Sequence, residues 1–538
     1  MSSSVSIDIA ALEGAISALT SLASKIESER MRICSGTPCP VPSLSDGAVA
    51  AVATWLSDQE PELSTRLDLA RLLDTEGAGV ATYTTDADTL ANTQQMLGRE
   101  LADRVNDVSY DTDADDLEAL SEILAGRVSD QLVMSAMFQD LEPQGTAHAI
   151  TILEQNHWGG SGQDGAPLDL AMTLRSGLAT ASKEPSFPAE TYGADMVRWF
   201  TAPMLSDDEQ DWMMEHDMSS MKGASLLAFM MRDVDYDPDF LTGAADTLDT
   251  FEQQMKDSDF GEAAYWYNHN GYSAFNEGEE MTYADPMAEM MRAMSRQPEV
   301  GLDFFSGAER RDFYFDKRDW SNDGYDGIAA VADRASTDPA TVRDNPEMAA
   351  LIASQFVDQT ADSEGFNAED ARAAADSVGH LLKSYMPSMA ASLDAGGEDR
   401  DPKLHDPPLD IIGFGEMTNM PVFYRNDLAS MTGVAMSSQD GMTSMAEGVS
   451  DYRQTQILAV ADRLYDDRTT WMPAPSCSRF SRTTPSCAGS PPGSPVRPRS
   501  TTPTAPTSSD RLSSTCSAKA RRRCRSRSRA PTSWSVRA

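Results

Sequence analysis

An acidic stretch of the sequence, DTDADDLEALSE, has the spacing of carboxylates that calcium binding requires. Its acids at positions 1, 3, 5 and 12 match ligand positions of an EF-hand loop; they are Asp111, Asp113, Asp115 and Glu122. Position 6, where the sharp turn of that loop favours glycine, is Asp116. The alternative is that these carboxylates begin a helix, since negative charge is favourable at a helix N-terminus. The sequence leaves open a calcium-binding module and a plain helix start.

The histidines form no catalytic motif along the sequence. His148 and His157 flank one predicted short helix, and no HExxH or HxH pattern occurs. The glycine-rich segment 159–162 lacks the second glycine of a nucleophile elbow, and no strand is predicted before it. We therefore expect no enzymatic activity and no cofactor. The alternative is an enzyme of the hydrolase class whose site is non-local, with His148, His157 or His216 converging on carboxylates in the folded chain.

Helical periodicity dominates the elements that must position these residues. Strand-like alternation is almost absent, so the sequence predicts an all-α fold, an irregular multi-helix array with a bundle of long helices at its N-terminus. Residues 5–33 are predicted to form one long amphipathic helix. Its apolar seam is suited to packing on another helix, and we expect protein partners there; the seam residues are Leu12, Ile16, Leu19, Ala23 and Ile26.

A recurring helix-start signature organises residues 221–346. An acidic or amide residue precedes proline four times, at Asp237-Pro238, Asp285-Pro286, Asp338-Pro339 and Asn345-Pro346. The first side chain can accept hydrogen bonds at the N-cap, and proline is tolerated at the first helical position because its missing N–H would have had no partner there. Each pair therefore predicts the start of a helix. The four pairs are unevenly spaced, so no solenoid of fixed period is predicted.

The sequence predicts three regions. Residues 1–145 are predicted to form a helical bundle, and residues 146–470 an acidic all-helical domain. From residue 471 the composition changes abruptly, because 38 of the last 68 residues are serine, proline or arginine. One interpretation is a disordered basic tail. The interpretation we favour is the out-of-frame translation of a GC-rich gene.

Charge and hydropathy exclude some classes of protein. Net charge is −42, and residues 471–538 carry thirteen basic residues against one acid, which leaves the first 470 residues at −54. So acidic a body disfavours nucleic acid and anionic membrane as partners. No run of eighteen consecutive apolar residues occurs, so no membrane span is predicted. No Sec-type signal is visible, which predicts a cytoplasmic protein or one secreted by a signal-peptide-independent route.

Three segments carry a resemblance to a known group of proteins. They are SLLAFMMRDVDYDPDFLTGAADTLDTFEQQ, DPMAEMMRAMSRQPEVGLDFF and FYFDKRDWSNDGYDGIAAVADRAST. They resemble a Streptomyces-like actinobacterial family of large acidic helical proteins of unknown function, associated with WXG-type proteins of type VII secretion. The resemblance spans roughly residues 146–467, and the helix at residues 5–33 is similar in style to the first helix of a WXG hairpin.

The resemblance implies a function without assigning a catalytic residue. It implies a non-enzymatic helical protein that serves as a carrier or as the body of a type VII secretion-associated effector. The chain departs from that pattern at two points. Its Trp-x-Gly, at residues 158–160, lies far from the N-terminus, and no tyrosine is followed by an acid four residues later. The usual secretion signal of that system is therefore absent.

Overall fold

The computed structural model describes residues 3–34, 46–74, 77–85, 89–159, 165–201, 220–256, 275, 285–363, 365–392 and 403–471. All of them belong to one compact unit, Met1–Trp471. The predicted all-α class is confirmed, because helices dominate this part of the chain and only two small sheets accompany them. The predicted tail at 471–538 lies outside the described residues, except for Trp471.

The helices of the N-terminal half are α1 (Ile9–Cys34), α2 (Asp46–Leu73), α3 (Leu90–Asn106), α4 (Ala114–Arg127), α5 (Gln131–Gly159), α6 (Ala166–Ser182), α7 (Ala189–Phe200), α8 (Ser220–Met231) and α9 (Pro238–Lys256). Those that follow are α10 (Pro286–Ser295), α11 (Pro298–Phe304), α12 (Ala308–Asp312), α13 (Asp326–Thr337), α14 (Pro339–Asp344), α15 (Pro346–Thr360), α16 (Ala375–Ser384), α17 (Met386–Ser392), α18 (Arg425–Ala435) and α19 (Gln439–Trp471). A π-helical turn, Phe313–Lys317, follows α12, and a 3-10 turn, Arg372–Ala374, precedes α16.

The first two helices form a hairpin whose open end is held by a two-stranded sheet. Strand β1 (Ser3–Asp8) precedes α1 and pairs antiparallel with β2 (Val80–Thr85), which follows α2. Near the same end, Arg71 of α2 pairs with Glu13 of α1 at 2.8 Å. The periodicity predicted for α1 is confirmed, since its five seam residues are half-buried while most of the remaining surface is exposed. The neighbour that half-buries them is α2.

The two sheets were not predicted, and residues 5–8, predicted to begin the first helix, lie in β1 instead. Besides β1 and β2, strands β3 (Leu409–Ile411) and β4 (Gly415–Met417) form an antiparallel pair. These strands are three to six residues long. Segments this short give too few alternations to stand out from the helical patterns beside them.

The predicted helix starts are confirmed at all four proline pairs. Asp285 Oδ1 accepts hydrogen bonds from the backbone N–H groups of Met287 and Ala288 at the start of α10. Asp237 and Asp338 accept equivalent bonds at the starts of α9 and α14. Asn345 precedes Pro346 at the start of α15, but its side chain makes no capping hydrogen bond. Local sequence chemistry thus sets where these helices begin.

A single cluster of buried apolar side chains runs from Leu69 in α2 to Met445 in α19. The boundary predicted between residues 145 and 146 lies inside α5, beside a break at Glu142, where φ is 59°. Leu141 and Ile150, on either side of that boundary, both belong to the cluster. The division into residues 1–145 and 146–470 stays a prediction. Methionines contribute to the core as adaptable packing side chains; they include Met230, Met231, Met290, Met291 and Met294.

Helices α7 and α9 cross backbone against backbone at two reciprocal glycines. A Cβ on Gly193 of α7 would come closer than 3.0 Å to the carbonyl oxygen of Phe240 in α9. A Cβ on Gly243 of α9 would likewise collide with the carbonyl oxygen of Glu190 in α7. Only glycine allows this approach, because any other residue would place a carbon well inside van der Waals contact. The crossing fixes α9, whose far end carries charged residues of a buried cluster.

Candidate functional site

The acidic stretch at 111–122 is mostly a helix start. Asp113 is the N-cap residue of α4, and Asp115 lies in the first turn. Glu122 lies two turns further on, about 12 Å along the axis from the first residue of the helix. Asp111 and Asp113 line one groove, together with Arg71 and Arg104, whereas Glu122 lines another. Among the described residues, no three His, Cys, Asp or Glu side chains are placed to hold a metal ion. The spacing-based calcium hypothesis gains no support from this geometry.

The histidines named by the hydrolase hypothesis are not brought together in the described chain. His148 and His157 both lie on α5. Nine residues separate them, so at about 100° per residue they project from opposite sides of the helix. The ring of His157 packs 5.8 Å from that of Phe275. His216 lies outside the described residues.

A histidine outside the hydrolase hypothesis has a carboxylate partner. His380 Nδ1 on α16 lies 2.8 and 3.0 Å from the two carboxylate oxygens of Asp333 on α13. The hydrogen bond to Asp333 raises the pKa of His380 above its ordinary value. Burial raises the pKa of Asp333, although the bond from His380 offsets part of that effect. The geometry resembles the base and orienting acid of a hydrolase, but the contacts found here place no hydroxyl at the other ring nitrogen. The pair joins two helices.

A serine and a histidine also meet between α17 and the chain that follows it. Ser392 Oγ lies 3.2 Å from His405 Nε2, and the same oxygen accepts a hydrogen bond from the backbone N–H of Phe423. Burial lowers the pKa of His405, so its ring is neutral near pH 7. Ser392 is 0% exposed, so a substrate cannot reach its hydroxyl without local opening. The contact anchors residues 403–423 on α17.

A buried ionic cluster surrounds Arg318, which directly follows the π-helical turn. Its guanidinium donates to both carboxylate oxygens of Glu252 in α9, with the shortest bond at 2.9 Å. It also donates to both oxygens of Asp285, each at 2.8 Å. The side chain is 3% exposed and stacks 3.9 Å from the ring centroid of Trp320. Burial alone would lower the pKa of Arg318, but the two carboxylates outweigh it and raise that pKa.

A second charged group lies beside the first. Arg292 of α10 pairs with Asp326 at 2.6 Å, with Glu289 at 3.1 Å and with Asp323 at 3.3 Å. Burial raises the pKa of Asp323 to about 6, and the neighbouring Asp285 adds to the shift. These side chains belong to α10, α13 and the segment between the π-helical turn and α13. Both groups pair charged side chains from different segments of the chain, and so they hold helices together. The Arg318 group is buried, whereas Arg292 and Asp326 are partly exposed, at 27% and 34%.

Exposed apolar side chains concentrate on two surfaces. Of fourteen large hydrophobic residues that are exposed in the described chain, four lie on the α1–α2 hairpin and six near the C-terminal end of the unit. Leu22 and Met31 are nine residues apart on α1 and project from opposite sides of that helix, so we give the name hairpin surface to the pair on α2, Val52 and Trp55. We call the second set the C-terminal helix surface; it consists of Met436, Met442, Ile457, Leu458, Val460 and Leu464. Isolated exposed apolar residues are ordinary, but such concentrations mark interaction surfaces.

The partner surface predicted on α1 needs a correction. The seam residues face α2 of the same chain, so the hairpin itself occupies the surface that was expected to receive a partner helix. The hairpin surface lies outside that seam. The sequence did not predict this surface, because Val52 and Trp55 do not belong to a clear apolar stripe of α2.

Helix α1 is apolar by its mean hydropathy, a property different from the run of consecutive apolar residues on which the predicted absence of a membrane span was based. Ile9–Arg32 is long and apolar enough to cross a membrane by length and composition, with a mean hydropathy of 1.3 over eighteen residues. Serine, threonine and glycine interrupt its apolar residues, so no uninterrupted apolar run reveals it. Soluble helices and N-terminal signal sequences pass the same criterion, and the absence of a span stays a prediction.

Comparisons with known proteins give one match, which covers just under half of the chain. Residues 213–474 match a family of unknown function, DUF6571. The matched residues contain α8–α19, with both ionic clusters and the C-terminal helix surface. No curated protein and no solved structure matches the chain.

Proposed function

We propose that the chain is a non-enzymatic interaction protein, a helical scaffold that presents the hairpin surface to a protein partner. The observation that carries the proposal is the exposure of Trp55, at 58%, together with Val52 on the same helix. Tryptophan is a frequent anchor of protein interfaces, because it buries a large area with little loss of side-chain freedom.

The hairpin is organised before any partner arrives. The Glu13–Arg71 ion pair and the β1–β2 sheet hold its open end, and α2 covers the seam of α1. The ion pair joins residues that sum to 84, which places Met31 opposite Ala53 in an antiparallel pair of helices. Met31, Val52 and Trp55 therefore belong to the end of the hairpin that lies away from the sheet. A preformed surface loses little conformational entropy on binding.

In its finer form, the proposal makes the chain a carrier or the body of a type VII secretion-associated effector. Its support is the sequence resemblance and the presence of an N-terminal helical hairpin. The cellular location then follows as cytoplasmic, or extracellular by a route without a signal peptide. We expect the chain to appear in the culture medium of its source organism and to disappear from it when the type VII system is inactivated. Its presence in the medium of the inactivated strain would contradict this form of the proposal.

Site-specific photo-crosslinking tests the interaction itself. A photoreactive amino acid replaces Trp55 in one variant and Met172, an isolated exposed residue of α6, in the control. In the source organism, we expect one dominant crosslinked protein from position 55 and not from position 172. Trp55→Asp should abolish the complex when it is purified through the identified partner, while Met172→Asp should leave it intact. Identical products at the two positions would refute the proposal.

A further inference from the structure

One side of α19 carries a straight, largely exposed stripe of side chains. Its members follow one another at steps of 4, 3, 4, 4, 3 and 4 residues. The average step is close to the 3.6 residues of a helical turn, so the stripe stays within an arc of about 80°. We call this set the α19 stripe; it consists of Met442, Ala446, Val449, Arg453, Ile457, Val460 and Leu464. All of them are exposed except Val449, which is half-buried.

The order of steps in the α19 stripe reads the same from either end. Arg453 is the midpoint, and Met442 and Leu464 each lie 11 residues from it. Two copies of α19 that lie antiparallel about a two-fold axis at Arg453 would therefore bring the two stripes into register along their whole length. The apposed pairs would be Met442 with Leu464, Ala446 with Val460 and Val449 with Ile457. A symmetric interface requires self-complementarity of this kind.

The two halves of the α19 stripe also differ in shape. The N-terminal half lies along a groove of about 780 Å³ that is lined by Met442 and Val449, among others. In the C-terminal half, Ile457 is 68% and Leu464 is 62% exposed. Residues 460–464 are exposed all round the helix, so this half extends past the elements on which α19 packs. In an antiparallel pair, the protruding half of each helix would enter the groove of the other.

The charges of α19 are placed so that two copies could meet along the stripe. Any contact between two chains of net charge −42 must keep acidic side chains apart. The acids of α19 between residues 441 and 464 are Glu447, Asp451 and Asp462. At about 100° per residue they project about 120–180° away from the centre of the stripe. Glu447 accordingly lies 2.6 Å from Lys383 of α16, on the body of the same chain.

We propose that the α19 stripe is the interface of a symmetric antiparallel dimer formed with a second copy of this chain. The stripe spans 22 residues, so the helices would touch over about 33 Å. One helix pair is a small interface, and we expect a dissociation constant in the micromolar range. Arg453 would meet its counterpart at the axis, where its aliphatic stem can pack while its guanidinium stays in water. The proposal is independent of the hairpin surface.

A single cysteine at the midpoint tests the register. The six cysteines of the full chain are changed to serine, and Arg453→Cys is added. The two new thiols would face each other across the axis, so we expect a short bismaleimide to join two chains into a covalent dimer. Asp462→Cys is the matched control, because a residue nine positions further on projects from the opposite side of α19. Equal yields of dimer at positions 453 and 462 would overturn the proposal.

Mixed chains test the antiparallel order. Chains with Ala446→Cys and chains with Val460→Cys, one of them carrying a tag that changes its size, are crosslinked separately and together. We expect each chain alone to stay monomeric and the mixture to give the crosslinked heterodimer. Homodimers of each chain in place of the heterodimer would indicate a parallel pair and would overturn the proposal.

Sedimentation measures whether the interface forms without crosslinking. We expect the full chain to dimerise as its concentration rises. Val460→Asp should raise the dissociation constant at least about tenfold, because it would bury a carboxylate against Ala446 of the second copy. Arg453→Leu should lower the constant, since it removes two like charges from the axis. Met172→Asp, on α6, should leave it unchanged.

Two results of the sedimentation experiment would overturn the proposal. One is a chain that stays monomeric throughout the micromolar range, as it would if another segment or another protein covered the stripe. The other is a dimer that Val460→Asp and Met172→Asp weaken equally, since its interface would then lie elsewhere.

Discussion

Replacing Arg318 by methionine removes the cation that holds Glu252 and Asp285 in the interior. Both carboxylates would remain buried, at 1% and 7% side-chain exposure, and each would lose its ion pair with the guanidinium. Breaking a buried ion pair by removing one partner costs about 3–5 kcal/mol. Loss of the cation–π contact with Trp320 adds about 1 kcal/mol. We therefore expect Arg318→Met to lower the free energy of unfolding by about 4–6 kcal/mol.

Urea denaturation followed by circular dichroism measures this loss, with a second probe to check that unfolding is a single transition. Arg343→Met is the matched control, because Arg343 pairs with the adjacent Asp344 on the surface. We expect the control to unfold at the same urea concentration as the parent chain, since exposed pairs contribute little.

A rescue experiment separates two contributions to the loss of stability, the lost ion pairs of Arg318 and the cost of the carboxylates that stay buried. Adding Glu252→Gln and Asp285→Asn to Arg318→Met leaves no buried carboxylate uncompensated at this cluster. We expect the triple variant to regain part of the lost stability. The reasoning is refuted if Arg318→Met unfolds together with the Arg343→Met control, or if the triple variant is less stable than the single one.

Two further predictions follow from the helix contacts. Gly243→Ala should destabilise the chain by about 1–3 kcal/mol, because the new methyl group collides with α7. The control, Gly433→Ala, lies in open space on α18 and should stabilise the chain by up to about 1 kcal/mol. Equal urea midpoints for the two variants would contradict the close crossing of α7 and α9. His380→Asn removes a group whose folded pKa is raised, so the stabilisation that His380 draws from Asp333 is fully present below pH 6.5 and is lost as pH rises through the folded pKa. Unfolding measured across this range should show the difference between parent and variant shrinking with rising pH, and a constant or growing difference would be inconsistent with the pair.

The features that the sequence predicted correctly are those that depend on residues close together in the chain. Asp285 caps α10 through backbone groups two and three residues away, so the Asp-Pro pair is enough to predict it. The half-buried face of α1 also follows from local periodicity, since residues three or four apart share one side of a helix.

The ionic clusters depend on residues far apart in the sequence. Arg318 meets Asp285 across 33 positions and Glu252 across 66. His380 meets Asp333 across 47 positions. No local pattern distinguishes these arginine, histidine and acidic residues from the many that stay on the surface of so acidic a chain. The exposure of the apolar stripe on α19 could not be predicted from local sequence either. The periodicity of the helix predicts an apolar face, but it gives no information on whether another element covers that face.

The hairpin at the N-terminus behaves mechanically as a lever. Helix α1 has 26 residues, which at 1.5 Å per residue gives an arm about 39 Å long. The Glu13–Arg71 pair and the six-residue strands restrain one end of that arm, and Arg127 of α4 restrains α2 at Ser64, Thr65 and Asp68. A rotation of about 5° about Ser64 would therefore displace Trp55, nine residues further along α2, by about 1 Å. A partner bound at the far end of the hairpin would therefore transmit force to the end that carries the small sheet.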